Sequence, residues 1–341
     1  MTKAKTARAA HFFCTGSGLS LADCYVIAAR REVRTRAQRR TRNPDDPPMQ
    51  QKHVVRIERD TLRVVSKPAS FEDVLAMPGG TVYAATGGAV YRSDAPAPGG
   101  WRPTLTDGPV DRLVALGEQG IAAYSVRGPG TIWRHDGRSW DRIPVPEGCA
   151  GIAAIGGRSL DDLFLVGAPD LLRRWDGASW REVPWHRLDP QPGPRYPPTF
   201  TGVYVGADGL VTAVRNRSEI YQGDGRGLEQ VACISPENDG QLCGVATWRG
   251  RIWSGHLMGW VLSFAAGKST TAWLAPPRSA TQRGEGMFGF DARGDLLITT
   301  SYDLVGTGDG ENFSAIDHRT LAAAVGDEDL PWSRGDGHTP R

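Results

Sequence analysis

"RRWDGASWREVP" occupies residues 173–184, and "WRHDGRSWDRIP" occupies residues 133–144. Each stretch leads from aromatic and basic residues through Asp-Gly to a Trp, and a Pro closes it. Asp-Gly between strand-forming residues marks a tight hairpin turn, because glycine reaches φ > 0 without steric cost and aspartate caps its own turn. The turn recurs in "IERDTLRVV" (57–65), "YRSDAPAPGGWRP" (91–103), "YQGDGRGLEQV" (221–231), a weak "LSFAAGKSTTAW" (262–273) and "GTGDGENFSAI" (306–316). Taking the Asp or its equivalent, the marks fall at 60, 94, 136, 176, 224, 266 and 309. The steps between them are 34, 42, 40, 48, 42 and 43 residues.

A period in the low forties with several short strands per unit is that of a β-propeller blade. The unit around Asp176 supplies four: "GIAAI" (151–155), "LFLVG" (163–167), "LLRRW" (171–175) and "SWREV" (179–183). The expected fold is all-β, a single seven-bladed propeller of four-stranded antiparallel blades over 11–320, followed by a mobile tail at 321–341. With "HFFCTG" (11–16) as first strand and "NFSAI" (312–316) as last, every blade is consecutive chain. The ring then closes by packing of side chains. On this plan Asp136, Gly137, Asp176, Gly177 and Trp180 are scaffold, with the Trp covering the edge of a neighbouring blade.

The stretch "DDLFLVGAPDLLRRWDGASWREVP" (161–184) resembles bacterial propeller repeats of the Asp-box and kelch-like type, in which a blade runs through an Asp-Gly turn into a Trp. The resemblance is clear in two blades and degenerate in most others. It implies architecture and leaves function open, since propellers serve as enzymes, receptors and interaction platforms.

Charge is nearly balanced over the 341 residues, at +2, but unevenly spread. Residues 1–70 hold 15 Lys and Arg against 6 Asp and Glu, so this part is +9 and the remainder −7. The asymmetry points to a local basic surface. Five cysteines, Cys14, Cys24, Cys149, Cys233 and Cys243, are too few and too scattered for a disulfide scaffold and read as reduced thiols. The N-terminal stretch lacks an apolar run long enough for a signal peptide, and no segment is apolar enough for a membrane helix. The expectation is a cytoplasmic protein, monomeric on its own.

On a four-stranded blade, the loop from second to third strand and the connection to the next blade share one face, where propeller ligands usually bind. Two long insertions fall there. One, at 30–53, carries seven arginines, Arg34, Arg36 and Arg39 among them; the other, at 184–200, is Pro-rich and carries Trp185, His186, Arg187, Arg195 and Tyr196. Shorter loops add Arg127, Arg215, Arg217, His256 and Tyr302. Arginine and aromatic side chains around one mouth form the composition of a binding hot spot.

No phosphate loop, zinc motif or nucleophile elbow is present, and no cofactor or metal is expected. The reading is a non-catalytic protein-binding propeller whose arginines pair with an acidic partner surface. An immunity protein that neutralises a bacterial toxin is one form it could take. The alternative is a carbohydrate-active or lyase-type enzyme at the channel mouth. Nucleic-acid binding through the 30–42 arginine run is a further alternative, weakened by the absence of aromatics within that run.

Overall fold

The computed structural model describes residues 8–20, 23–33, 50–58, 61–66, 69–118, 120–127, 130–188, 199–215, 218–233, 242–256, 261–265, 268–273, 289–293, 296–300 and 304–316. Among these residues the strands group into seven sheets. The first holds β1 (Arg8–Ser20), β2 (Asp23–Val33), β3 (Gln50–Glu58) and β4 (Thr61–Val64). The second holds β5 (Phe71–Ala76), β6 (Val82–Thr86), β7 (Ala89–Ser93) and β8 (Arg102–Leu105). The third holds β9 (Arg112–Leu116), β10 (Gly120–Tyr124), β11 (Ile132–His135) and β12 (Trp140–Ile143). The fourth holds β13 (Gly151–Ser159), β14 (Asp162–Ala168), β15 (Leu171–Trp175) and β16 (Trp180–Glu182). The fifth is built of β17 (Trp185–His186), β18 (Phe200–Val205), β19 (Val211–Arg215), β20 (Glu219–Gly223) and β21 (Leu228–Cys233). The sixth holds β22 (Leu242–Trp248), β23 (Arg251–His256), β24 (Val261–Ala265) and β25 (Lys268–Trp273). The last holds β26 (Gly289–Arg293), β27 (Leu296–Thr300), β28 (Leu304–Thr307) and β29 (Ser314–Ile316).

Six of the sheets are four-stranded, with strand order following the chain as antiparallel hairpins. The fifth departs from the uniform plan expected from the repeat. There β17 adds a parallel strand on the edge of β21, pairing Trp185 with Leu228 and His186 with Glu229. The chain leaving β16 is caught on that edge because the Pro184 carbonyl accepts the Leu228 N–H at 2.9 Å. An unpaired sheet edge offers such acceptors and donors to any strand that reaches it.

First strands of successive sheets touch in a cycle: β1, β5, β9, β13, β18, β22, β26 and back to β1. This is an all-β propeller. Its core is divided into apolar wedges between neighbouring sheets. One wedge joins Ile132 and Ile143 of the third sheet to Leu163, Leu165 and Trp175 of the fourth. Another sets Ile316 of β29 against Val26, Val55 and Ile57 of the first sheet. Burial of each such side chain contributes about 1.5–3 kcal/mol. Among the described residues no strand of the last sheet pairs with the first; the two meet through packed side chains, and Arg293 adds a polar clasp. Its guanidinium donates to the Ala76 carbonyl at 2.9 Å and to the Ser17 hydroxyl.

The Asp-Gly stretches sit between third and fourth strands, as their spacing predicts. Gly137, Gly177, Gly225 and Gly310 have φ of 95°, 92°, 80° and 83°. The aspartate before each glycine caps the turn: Asp136 Oδ1 accepts the Arg138 and Ser139 N–H groups, both at 2.8 Å. Asp176 does the same for Ala178 and Ser179 at 3.1 and 2.8 Å. Four residues past these aspartates stand Trp140, Trp180, Leu228 and Phe313. Each packs into the wedge shared with the preceding sheet. Trp180 Nε1 also donates to the Pro144 carbonyl at 2.6 Å, and Trp101 Nε1 to that of Val65 at 2.8 Å. In these four sheets the turn thus delivers one large apolar residue to seal the gap behind it.

Strands extend into the 30–53 insertion from both sides. Arg30 and Arg31 lie in β2, paired with His11 and Ala10, and β3 begins at Gln50. Residues 34–49 and the expected tail, 321–341, lie outside the described residues. Among the described residues no helix is long and apolar enough to cross a membrane.

Candidate functional site

In each sheet the first strand begins and the second ends where the connections between sheets arrive. The Asp-Gly turns lie at the opposite end. On the connection face, β19 ends at Arg215 and β20 begins at Glu219, so a short hairpin sets the two side chains together. Asp170 reaches them from the turn between β14 and β15, where it adopts φ 41°. Arg215 is 6% exposed and donates from Nε and Nη2 to both Asp170 oxygens, each at 2.8 Å. Its Nη1 donates to Glu219 Oε2 at 2.9 Å, and the Tyr221 hydroxyl donates to the same oxygen at 2.9 Å. Arg187 pairs with the other Glu219 oxygen at 2.7 Å.

The Arg215 guanidinium lies over the Trp185 ring at 4.4 Å. That ring meets Phe200 and Tyr221 edge-on, at 5.7 and 5.6 Å between centroids. Burial alone lowers the arginine's pKa, but the hydrogen bonds and charges of Asp170 and Glu219 outweigh it and raise the value. Burial, together with Glu219, pushes the Tyr221 hydroxyl up. Chemically this is an ionic network centred on the Arg215–Glu219–Asp170 pairs. It fastens the segment at 185–188 to the fifth sheet, and leaves Leu188 77% exposed beside Val231 at 36%. The two are linked through Gln230, whose Oε1 accepts the Leu188 N–H at 3.3 Å.

A second network borders the first strands. Lys52 pairs with Glu72 at 2.9 Å, and Arg127 reaches Glu72 and Asp111, each at 3.5 Å. The Arg127 side chain is 68% exposed, so these pairs are weak and the side chain is available to solvent. Glu72 occupies a β-bulge, the register of β5 shifting between Phe71 and Asp73. Similar shifts occur in β1, β13, β18 and β22 near the same end. Bulges re-aim side chains at such rims.

The first strands enclose a channel of about 650 Å3. Thr15, Asp73, Arg112, Tyr124, Tyr204 and Arg293 line it together with small apolar residues and glycines. Asp73 is buried and accepts from Thr15 Oγ1, Val74 N and Leu113 N, each at 2.9 Å. Burial raises its pKa, against Arg112 and those hydrogen bonds. Among the described residues no group of three or more His, Cys, Asp or Glu could hold a metal ion. Cys24 and Cys149 are free thiols.

Of the residues read from sequence as partner-binding, Trp185, Arg187 and Arg215 come together, turned inward on each other. His186 is exposed in β17, and Arg127 is exposed in the loop between β10 and β11. His256 closes β23. Arg34, Arg36, Arg39, Arg195, Tyr196, Arg217 and Tyr302 lie outside the described residues. Sequence reading passed over Asp170, Glu219, Asp73, Arg112 and Tyr124. Glu219, four residues from Arg215 across a hairpin, had a signal; Asp170, 45 residues away, had none.

No protein-family model matches this sequence, and no curated protein matches it. Solved structures do resemble its fold. The WD40 β-propeller domain of Doa1 superposes with a TM-score of 0.57 over 92% of this chain and 98% of that one, at 11% identity. The computationally designed Ika8 protein gives 0.52 over 92% and 97%, at 10% identity. The C-terminal WD40 domain of Sif2 gives 0.52 over 89% and 83%, at 9% identity. At these identities the likeness shows the propeller fold and nothing of function.

Proposed function

We propose that the chain is a seven-bladed, non-catalytic protein-binding propeller that takes its partner on the connection face, centred on the fifth sheet. The observation that carries this reading is the Leu188–Val231 patch standing on the Arg215–Trp185 platform. Leu188 and Val231 are the exposed large apolar side chains among the described residues. A side chain held outward by an ion-paired network around a buried arginine is ordered before a partner arrives, which lowers the entropic cost of binding. Exposed Arg127 stands in the loop between the second and third strands of its sheet, on the same face. The arginines read from sequence at 34, 36, 39, 195 and 217 lie outside the described residues; as sequence features they favour a partner with acidic groups around an apolar anchor.

The enzyme alternative would rest on Asp73, the buried carboxyl of the channel. Its oxygens already accept three protein donors, which suits a structural role better than proton transfer.

The test places a photo-crosslinking amino acid at Leu188 in one variant and at Arg226, in an Asp-Gly turn, in another. The reading expects one protein adduct from position 188 and none from 226 in the cells that make this chain. Adducts from 226 alone would place the interface on the other face. A toxin as the adduct would support the narrower reading of an immunity protein.

A further inference from the structure

Arg112 opens β9 and Tyr124 ends β10, and the two are directly paired across the ladder. Paired residues project from the same face of a sheet, with Cβ atoms about 4.5–5.5 Å apart. Both residues line the channel, and the Tyr124 ring also packs in the wedge between the third and fourth sheets. Arg112 Nη1 donates to the Asp111 and Glu72 carbonyls at 3.1 and 3.4 Å. Among the described residues its Nε and Nη2 have no hydrogen-bond acceptor. Asp73, the carboxylate with the largest charge effect on Arg112, accepts from Thr15, Val74 and Leu113, and no hydrogen bond joins it to Arg112. The Ile155 N–H faces the Tyr124 oxygen and favours its ionised form, and among the described residues the phenol proton has no acceptor.

We propose that the central channel is a receptor for a carboxylate group, held by Nε and Nη2 of Arg112 and by the Tyr124 hydroxyl. The side-on edge of a guanidinium fits two carboxylate oxygens at once. The phenol adds a third donor from the facing position. Arg112 keeps its charge although burial disfavours it, because the carboxylates of Asp73, Asp111 and Glu72 lie around it. Burial pushes the Tyr124 pKa up to about 12, so its proton stays in place. The channel's volume of about 650 Å3 lies within the roughly 300–1,000 Å3 of small-ligand sites. The carboxylate could belong to a free small acid or to an acidic side chain entering the mouth. The site does not depend on the fifth-sheet patch, so either proposal can fail alone.

The experiment measures thermal shifts and calorimetric binding in a carboxylate-free buffer of fixed ionic strength. Probes are acetate, succinate, neutral succinamide, a short glutamate-containing peptide and its glutamine counterpart. The free acids or the glutamate peptide raise the melting temperature, and the neutral counterparts do not. Acids alone identify a free small ligand; the peptide alone identifies an entering side chain. Arg112→Met weakens binding at least about tenfold, as loss of charge-assisted hydrogen bonds requires. Tyr124→Phe keeps the packed ring and weakens binding by a smaller factor, which guards against an unfolded Arg112 variant. The proposal is overturned if no carboxylate binds at millimolar concentrations. It is equally overturned if succinamide binds as well as succinate, or if folded Arg112→Met and Tyr124→Phe bind unchanged.

Discussion

Gly177 and Gly137 occupy the same place in two turns, at φ 92° and 95°, yet their surroundings differ. A Cβ at Gly177 would meet the Asp161 side chain at 3.1 Å, whereas nothing lies within 4 Å of one at Gly137. Gly177→Val therefore destabilises the fold by about 1–3 kcal/mol, since a β-branched residue resists φ > 0. Gly137→Val suffers the backbone strain without the clash and loses less; urea unfolding of the pair checks the order. The capping aspartates give a second test at this scale. The Asn312 side chain, the N–H groups of Asn312 and Glu311, and Thr307 hold the Asp309 carboxyl well below the usual carboxylate range. A carboxyl depressed by folding stabilises fully above its unfolded pKa of about 3.9, and the contribution fades as pH falls through the folded value. Melting temperatures should show Asp309→Asn below the wild type at neutral pH, with the gap closing below about pH 4. A gap independent of pH would mean that the charge contributes nothing to the cap.

Strands and turns carry the next level. Arg215→Met would leave Glu219, 3% exposed, without its main partner and Asp170 without its bidentate one. Breaking a buried pair from one side costs about 3–5 kcal/mol. A loss under about 1 kcal/mol in chemical unfolding would mean that the network is solvated. The repeat was legible in the sequence because each Asp-Gly turn is local chemistry, decided by residues adjacent in the chain. Strand β17 was not, because its pairing with Leu228 and Glu229 is settled by an edge more than forty residues downstream. Arg187 and Arg215 read as open anchors for the same reason. Their consumption by Glu219 and Asp170 depends on how two sheets meet. Arg112, Asp73 and Tyr124 are strand residues in an ordinary alternating pattern, and only closure of the ring turns them into channel lining.

At the scale of the molecule, wedges of apolar side chains and the Arg293 clasp hold the ring, and one face gathers the connections between sheets. The central claim is that a partner protein binds there. Substitutions in the arginine run at 34–39 should mainly slow association and steepen with falling salt, because rim charges steer encounter. Leu188→Ser removes the apolar anchor and should act on dissociation instead. The most direct measurement is therefore the dissociation rate of the partner captured at position 188, from immobilised wild type, Leu188→Ser and Arg226→Ala. The account predicts that Leu188→Ser speeds dissociation about tenfold or more, as loss of a central anchor does, while Arg226→Ala leaves it unchanged. Faster dissociation from Arg226→Ala with Leu188→Ser unaffected would contradict it.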